Sequence, residues 1–311
     1  MNLVRKTVDN TYNLFRNLIF RLTINDPEKA HERFIELSDL AHKYGFDKLL
    51  FDNKENYRQN KFDISNAGGF NKNGNIPPQF LRYLGFDRIE VGTVTADPWL
   101  GNPERPRIWR FPPATLVNCL GLPGVGAEQI AENLEKYGKH NVPVTMNVMS
   151  TPGKKGKELL DDIASSIKTT RGLHEVDRFI LNISCPNTRC GLGVNARKKY
   201  QDELRSYLGV MDKEVLSWQK YGVKVSPDLT EEDIEATIEL LTKSNASYIV
   251  TTNTTAKHNP EHINPSPGKG GASGAALYYL SLRTQRMFEK KLDEVQSKIE
   301  IIAVGGIDSA D

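Results

Sequence analysis

The residues best suited to chemistry are residues 182–188, which read Asn-Ile-Ser-Cys-Pro-Asn-Thr and follow an apolar run at 179–181. They place the thiol of Cys185 and two carboxamides on a turn at the end of a predicted strand. The proline at 186 holds the preceding cysteine near an extended conformation, and Asn187 suits the turn and offers hydrogen bonds to a ligand. An unpaired cysteine is more often a small buried apolar residue than a catalyst. The predicted strands and helices around Cys185 are therefore needed to choose between a catalytic cysteine and a buried apolar one.

Apolar, β-branched runs predict seven strands, at residues 64–69, 88–94, 142–148, 179–184, 223–226, 248–253 and 300–305. Helical patterns lie between them. The clearest begins at Thr230, a predicted N-cap ahead of the apolar stripe Ile234, Ile238 and Leu241. Strands that alternate with helices predict an α/β fold with a parallel sheet.

Polar residues and glycines cluster after several of these strands. This pattern favours a (β/α)8 TIM barrel, whose active site lies at the C-terminal ends of its strands. The alternative is an open doubly wound sheet, but the sequence has no Gly-x-Gly-x-x-Gly fingerprint between a strand and a helix. We expect residues 61–311 to form the barrel and residues 1–60 an N-terminal helical extension. The sequence ends soon after the last candidate strand, so we expect the final βα unit of a closed barrel to be absent from this chain.

The extension is predicted to contain two helices. Residues 4–22 carry apolar side chains at helical spacing with basic residues between them, which predicts a basic amphipathic helix. The second helix is expected to start with the cap Asp26 and with Pro27, and to end at Gly45. Arg16 and Arg21 interrupt the one stretch that approaches the roughly 18 apolar residues needed to span a bilayer. The pair either packs on the barrel or also lies in a membrane interface.

Composition excludes several classes of protein. The 311 residues are enough for an enzyme-sized domain, and their net charge of +2 gives no support to nucleic-acid binding. The three cysteines Cys119, Cys185 and Cys190 form neither a disulfide framework nor a zinc-binding spacing. We therefore expect a reducing compartment and no metal.

Two lysines are candidates for the site. Lys72 follows residues 66–70, where two glycines would let a flat ligand approach the backbone. Lys224 alternates with Val223 and Val225, so its ammonium should point to the opposite face of the strand. If that face is the barrel interior, the charge needs an anionic or electron-rich partner. The simpler alternative for each is a solvated surface lysine.

Amides and glycines complete the candidate rim. An amide offers one acceptor and two donors, which suits a ring that alternates N–H and C=O groups. Glycines at 270–274 and at 305–306 follow the sixth and seventh strands and can expose backbone N–H groups to a phosphate. Together they predict a barrel that holds a phosphorylated cofactor. The asparagines in question are Asn118, Asn147, Asn182, Asn187 and Asn253.

With these motifs the chain resembles the dihydroorotate dehydrogenases, FMN-dependent (β/α)8 barrels of pyrimidine synthesis. The N-terminal helices look like the extension of the membrane-associated, quinone-using class 2 enzymes. Cys185 is instead typical of the soluble class 1 enzymes, since class 2 members usually carry serine there. The likeness runs through residues 26–31, 69–74, 90–95, 101–103, 182–188, Lys224, 252–255, 270–274 and 304–306.

The resemblance implies a role for each matching residue. Cys185 would remove a proton from carbon 5 of dihydroorotate while hydride leaves carbon 6 for FMN, and a thiol with a usual pKa of about 8.5 suits such a base. The implied substrate contacts are Lys72, Asn118, Asn182, Asn187, Asn253 and Thr254. The implied FMN contacts are Ala67, Gly68, Gly69, Thr93, Asn147, Asn182, Lys224, Thr252, Gly271, Ser273, Gly274, Gly305 and Gly306.

The same resemblance implies the partners and the location. The electrons would pass from FMN to a quinone that enters between the N-terminal helices. The protein would then be peripheral, on the cytoplasmic side of the cell membrane or on the inner mitochondrial membrane. With a class 1-like acceptor such as fumarate or NAD it would be cytosolic. The remaining alternatives are a related flavin barrel that acts on another reduced pyrimidine, and a non-catalytic protein that keeps the barrel.

Overall fold

The structure, a computed structural model, describes residues 26–46, 63–111, 114–183, 197–256 and 270–307. The predicted helix at 4–22 and the predicted site residues Cys185 and Asn187 lie outside these ranges. The helices are α1 (Pro27–Lys43), α2 (Pro78–Tyr83), α3 (Ala127–Glu135), α4 (Gly156–Thr170), α5 (Arg197–Glu214), α6 (Glu231–Leu241) and α7 (Tyr278–Glu294). The strands are β1 (Ile89–Val94), β2 (Ile108–Phe111), β3 (Thr115–Asn118), β4 (Val144–Val148), β5 (Val176–Asn182), β6 (Lys220–Val225), β7 (Tyr248–Thr251), β8 (Gly271–Gly274) and β9 (Glu300–Ala303).

The main sheet has six strands in the order β1-β4-β5-β6-β7-β9, and neighbouring strands are parallel. Helices α3 to α7 connect or flank these strands, which confirms the α/β fold. The order is that of a (β/α)8 barrel, in which each parallel strand pairs with the next one along the chain. Within the described ranges, no pairing joins β9 back to the β1 side of the sheet.

The prediction of a strand at 64–69 is wrong. This segment makes only isolated parallel bridges to the β1 side, from Ser65 to Arg88 and, further on, from Asn71 to Val91. The reason is that the side chain of Asn66, and not a backbone group of the segment, makes the hydrogen bonds to the backbone of Glu90 on β1. Asn66 Nδ2 donates to the carbonyl of Glu90 at 2.7 Å, and Asn66 Oδ1 accepts from its N–H at 3.1 Å.

A second, antiparallel sheet was not predicted from the sequence. It has the strand order β2-β3-β8, with Thr115 opposite Gly274 and Asn118 opposite Gly271. Residues 271–274, which were not among the predicted strands, therefore form one. Their composition gives no strand signal, because glycine is normally depleted in strands.

The two faces of the main sheet differ. Val223 and Val225 face the helices and belong to the large apolar core. Lys224 points to the other face, as the alternation predicted, and is 5% exposed. Tyr248 lies on that inner face in a cluster with Ile180 and Val250, and its hydroxyl donates to the carbonyl of Phe179 at 2.6 Å.

The two predicted helix starts are confirmed. Asp26 caps α1 by accepting from the backbone N–H groups of Glu28 and Lys29. Thr230 caps α6 in a capping box with Asp233. None of the helices in the described part of the chain combines the length and apolar character needed to cross a membrane.

Candidate functional site

Five side chains in the central part of the main sheet form one connected series, which we call the polar relay. Glu90 is the second residue of β1, whereas the other four lie toward or beyond the C-terminal ends of their strands: Asn147, Thr93, Asn182 and Asn253. Asn147 Nδ2 donates to Glu90 Oε1 at 2.6 Å, and Thr93 Oγ1 donates to Asn147 Oδ1 at 3.0 Å. Asn182 Nδ2 donates to Thr93 Oγ1 at 3.0 Å, and Asn253 Nδ2 donates to Asn182 Oδ1 at 3.1 Å. The relay crosses from β1 to Asn253, two positions after the end of β7, so the structure brings four predicted site residues together.

Glu90 is the member of this site that sequence reasoning missed. Its carboxylate lies 3.8 Å from the ammonium of Lys224, and the side chains of both residues are 6% exposed. The buried lysine therefore has the anionic partner that its position required. The available signal was that Glu90 alternates with the apolar residues Ile89 and Val91, as Lys224 does with its valines.

The segment at Gly68 lies directly against the relay. A Cβ added to Gly68 would lie 2.3 Å from Glu90 Oε1 and 3.0 Å from Asn147 Nδ2, so no larger residue fits without displacing them. The N–H of Gly69 donates to the carbonyl of Gly92 at 2.8 Å. Ala67, just before these glycines, is exposed. The segment can therefore bring backbone close to a flat ligand at the mouth of the barrel.

Lys72 lies at the end of the same segment, between the glycines and α1. Its Cε would be 3.9 Å from a Cβ built on Gly69. Burial, followed by the positive charge of Lys72, lowers the pKa of His31 on α1, while a backbone hydrogen bond at Phe70 acts in the opposite sense. His31 Nε2 is buried and has no hydrogen-bond partner among the described residues. The predicted carboxylate-binding lysine is thus next to the helical extension.

The predicted phosphate-binding glycines converge beside β7. The N–H of Thr252 donates to the carbonyl of Val304 at 2.8 Å, which sets Thr252 beside the segment that leads to Gly305 and Gly306. A Cβ on Gly306 would lie 3.0 Å from the carbonyl oxygen of Gly274. Thr252 Oγ1 is buried without a hydrogen-bond partner in the described ranges.

Other predicted residues lie on the antiparallel sheet. Asn118 Nδ2 donates to the carbonyl of Gly271 at 3.5 Å, and Ser273 Oγ donates to the carbonyl of Leu116 at 3.2 Å. Thr254 follows Asn253 directly, and its N–H donates to Asn253 Oδ1 at 2.9 Å. The roles of these residues, and those of Cys185 and Asn187 outside the described ranges, stay predictions.

Helix α1 is held on the barrel by a buried ion pair and by aromatic packing. Arg107 Nε donates to both carboxylate oxygens of Glu28, at 3.1 and 3.3 Å, and a further bond joins Arg107 Nη2 to Glu28 Oε1. The Arg107 side chain is 8% exposed. The ring centroids of Phe34 and Phe70 are 5.5 Å apart. The helix therefore contacts both the segment that carries Lys72 and the start of the antiparallel sheet.

Comparisons with known proteins agree with this architecture. A family model described as "Dihydroorotate dehydrogenase" matches residues 56–311. The chain is 32% identical over 315 residues to the "Dihydroorotate dehydrogenase (quinone)" of Nitrosomonas europaea, covering 96% of this chain and 87% of the relative. It is 36% identical over 249 residues to the protein of that name from Natronomonas pharaonis, covering 79% and 66%.

Solved structures give the same fold. A crystal structure of DHODH from Eimeria tenella in complex with ferulenol has a TM-score of 0.74 at 24% identity, covering 91% of this chain and 81% of that chain. The ligand-free type from the same organism has a TM-score of 0.66 at 27% identity, covering 79% and 72%.

Proposed function

The chain belongs to the dihydroorotate dehydrogenase family, and we propose that it oxidises dihydroorotate to orotate in pyrimidine biosynthesis, with a quinone as the final electron acceptor. The observation that carries the proposal is the polar relay with its buried Glu90–Lys224 pair. Amides and a hydroxyl toward the C-terminal ends of parallel strands, with a buried ion pair next to them, are groups with which a barrel enzyme binds and orients a polar ring.

FMN fits the mouth of this barrel. Support comes from the buried hydroxyl of Thr252, which lacks a partner among the described residues, and from the close approach of Gly274 to Gly306. Lys224 and Asn147 would hold the flavin ring, and the glycines would donate backbone N–H groups to its phosphate. When bound, FMN takes up the hydride that leaves the substrate.

Other residues of the chain would bind the substrate and move its proton. Lys72 would pair with the substrate carboxylate, while Asn182 and Asn253 would hydrogen-bond the pyrimidine edge. Cys185 follows Asn182 by three positions and would take the proton from ring carbon 5. The buried surroundings of the relay would keep water away, which strengthens each of these polar contacts.

The acceptor side would be formed by α1. The face of α1 that carries Phe34 packs on the barrel. A row of apolar side chains on and just beyond the helix is exposed: Leu37, Leu40, Tyr44 and Phe46, at 38, 50, 62 and 54%. We propose that this row lies in the interface of the cytoplasmic side of a membrane, where a quinone is dissolved.

A soluble acceptor is the second candidate, and Cys185 favours it, because class 1 enzymes with fumarate or NAD resemble this chain at that position. One assay separates the two. Purified full-length protein with bound FMN, seen by its flavin absorbance, is supplied with dihydroorotate and with a quinone, fumarate or NAD in turn. We expect turnover with the quinone, and turnover with fumarate or NAD alone would refute the acceptor assignment.

The base is tested by two matched substitutions. Cys185→Ala should abolish steady-state turnover and leave FMN bound, because only the proton acceptor is removed. Cys119→Ala is the control, since Cys119 lies in the connection after β3, where its sulfur accepts from Asn102 Nδ2 at 3.2 Å. Unchanged turnover of Cys185→Ala would rule out the assigned role.

A further inference from the structure

We propose that Glu90 is a positioning residue that, together with the backbone N–H of Thr254 at the other end, fixes the direction of the hydrogen bonds in the polar relay, and thereby the orientation in which its carboxamides meet the substrate. The inference rests on the proposed function. Glu90 has this role because it is a carboxylate at the end of the series and can only accept. Each of the other side chains could exchange its donor and acceptor roles by rotating.

The first step is the chemistry of the terminal group. An ionised carboxylate only accepts hydrogen bonds, whereas a carboxamide has a donor end and an acceptor end, and a hydroxyl both donates and accepts. Glu90 accepts from Asn147 Nδ2 at 2.6 Å, and Lys224 at 3.8 Å from the same oxygen supplies the compensating charge. Asn147 must therefore turn its Nδ2 toward Glu90 and its Oδ1 away.

The second step is that the orientation of Asn147 sets the orientation of each following side chain in the relay. Because Asn147 presents Oδ1 to Thr93, the hydroxyl has to donate there, at 3.0 Å. The same hydroxyl is then left to accept, and it accepts from Asn182 Nδ2 at 3.0 Å. Asn182 consequently turns its Oδ1 toward Asn253, whose Nδ2 donates to it at 3.1 Å. Each carboxamide oxygen along the relay is directed to its neighbour.

The third step is that the hydrogen bond at the other end of the relay, at Asn253, runs in the same direction. The backbone N–H of Thr254 donates to Asn253 Oδ1 at 2.9 Å. A backbone N–H can only donate, so all five bonds run in one direction, from a fixed donor to a fixed acceptor. Glu90 is the side chain in this series that cannot be reversed.

Glu90 is itself held in place by neighbouring groups. The carboxamide of Asn66 makes hydrogen bonds to both the C=O and the N–H of Glu90, at 2.7 and 3.1 Å. Gly68 leaves the space that the carboxylate occupies, and Glu90 is 5% exposed. The direction of the relay therefore decides which end of each amide, donor or acceptor, faces the substrate.

The test compares Glu90→Met with Glu90→Gln in the full-length, FMN-loaded protein. Both substitutions remove the charge beside Lys224. Glutamine keeps an acceptor oxygen for Asn147, because the ammonium of Lys224 can only donate and favours that oxygen on its side, whereas methionine has no acceptor. The readout is the dissociation constant of orotate, measured from the change in flavin absorbance on titration. We expect Glu90→Met to weaken binding about tenfold, which corresponds to about 1.4 kcal/mol, and Glu90→Gln to stay within about threefold of the unmodified protein.

A double substitution shows whether the effect travels through the relay. Thr93→Val interrupts the series in the middle, so adding Glu90→Met to it should weaken orotate binding no further. Additive losses, or equal losses for Glu90→Met and Glu90→Gln, would overturn the proposal, because Glu90 would then act only through its charge on Lys224. Asp233→Asn, a buried carboxylate in the capping box of α6, is the control and should leave orotate binding unchanged.

The two hypotheses fail in different ways. An unmodified protein that binds neither FMN nor orotate refutes the proposed function itself. An unmodified protein that binds both, with Glu90→Met indistinguishable from it, refutes only the role of Glu90.

Discussion

Replacing Glu28 with glutamine tests how α1 is attached to the barrel. The substitution removes the charge that faces Arg107, whose Nε donates to the two carboxylate oxygens at 3.1 and 3.3 Å. Breaking a buried ion pair costs about 3–5 kcal/mol, because the remaining charge stays buried without its partner. Arg107 also donates to the carbonyls of Leu100 and Asn102, at 2.9 and 3.2 Å. These acceptors and the glutamine oxygen remain, so we expect a loss of about 2–3 kcal/mol in the free energy of unfolding.

The measurement is the urea midpoint of unfolding, with a control on the same helix. Glu36→Gln removes the partner of Arg33, but those side chains are 61 and 64% exposed. An exposed pair contributes little, so the control should change stability by less than about 0.5 kcal/mol. If Glu28→Gln shifts the midpoint no more than Glu36→Gln does, the argument that the buried pair holds α1 is wrong.

The same variant also has a kinetic consequence. Loosening α1 should slow steady-state turnover with a quinone more than it slows the bleaching of the flavin by dihydroorotate in a single turnover. The reason is that α1 is assigned to the acceptor side, whereas the polar relay lies on the central strands. Equal losses in both rates would contradict the assignment of α1 to the acceptor.

Three further substitutions have defined outcomes. Gly68→Ala should reduce FMN binding at least about tenfold, since its Cβ would lie 2.3 Å from Glu90 Oε1; FMN titration of the apoprotein measures this, and unchanged affinity would contradict the close approach. Leu40→Asp should reduce co-sedimentation with anionic vesicles, whereas Val295→Asp, at a side chain 56% exposed outside α1, should not; equal effects would argue against the membrane surface. Burial and the nearby Lys72 hold the pKa of His31 below its usual 6.5. Below about pH 6.5 the imidazole is therefore protonated in the unfolded chain but not in the folded protein, and the free energy of unfolding falls as the pH drops. His31→Gln should lessen this fall in urea titrations at pH 7 and pH 5, and parallel losses in both proteins would refute it.

Local patterns in the sequence were sufficient for several parts of the fold. Asp26 and Thr230 cap their helices as predicted, because a capping side chain bonds to backbone groups only a few residues away. Lys224 faces away from the adjacent valines for a similar reason, since the side chains of a strand alternate at every residue.

Contacts between distant segments had to come from the tertiary structure. Residues 271–274 form a strand because they pair with Thr115–Asn118, more than 150 positions earlier, and no glycine-rich sequence announces such a partner. The segment at 64–69 fails to become a strand because the side chain of Asn66 takes the hydrogen bonds of a residue 24 positions away.

The sequence by itself determined the alternation of strands and helices, the two caps, the direction of Lys224 away from the adjacent valines and the family motifs, since all of these depend on residue type and short spacing. The tertiary structure decided that Glu90 is the partner of Lys224 and the end point of the polar relay. A buried polar side chain needs a hydrogen-bond or ion-pair partner, and the register of the neighbouring strands determines which side chain lies close enough to be that partner. Asn147 lies 57 positions from Glu90 in the chain and yet donates to it at 2.6 Å.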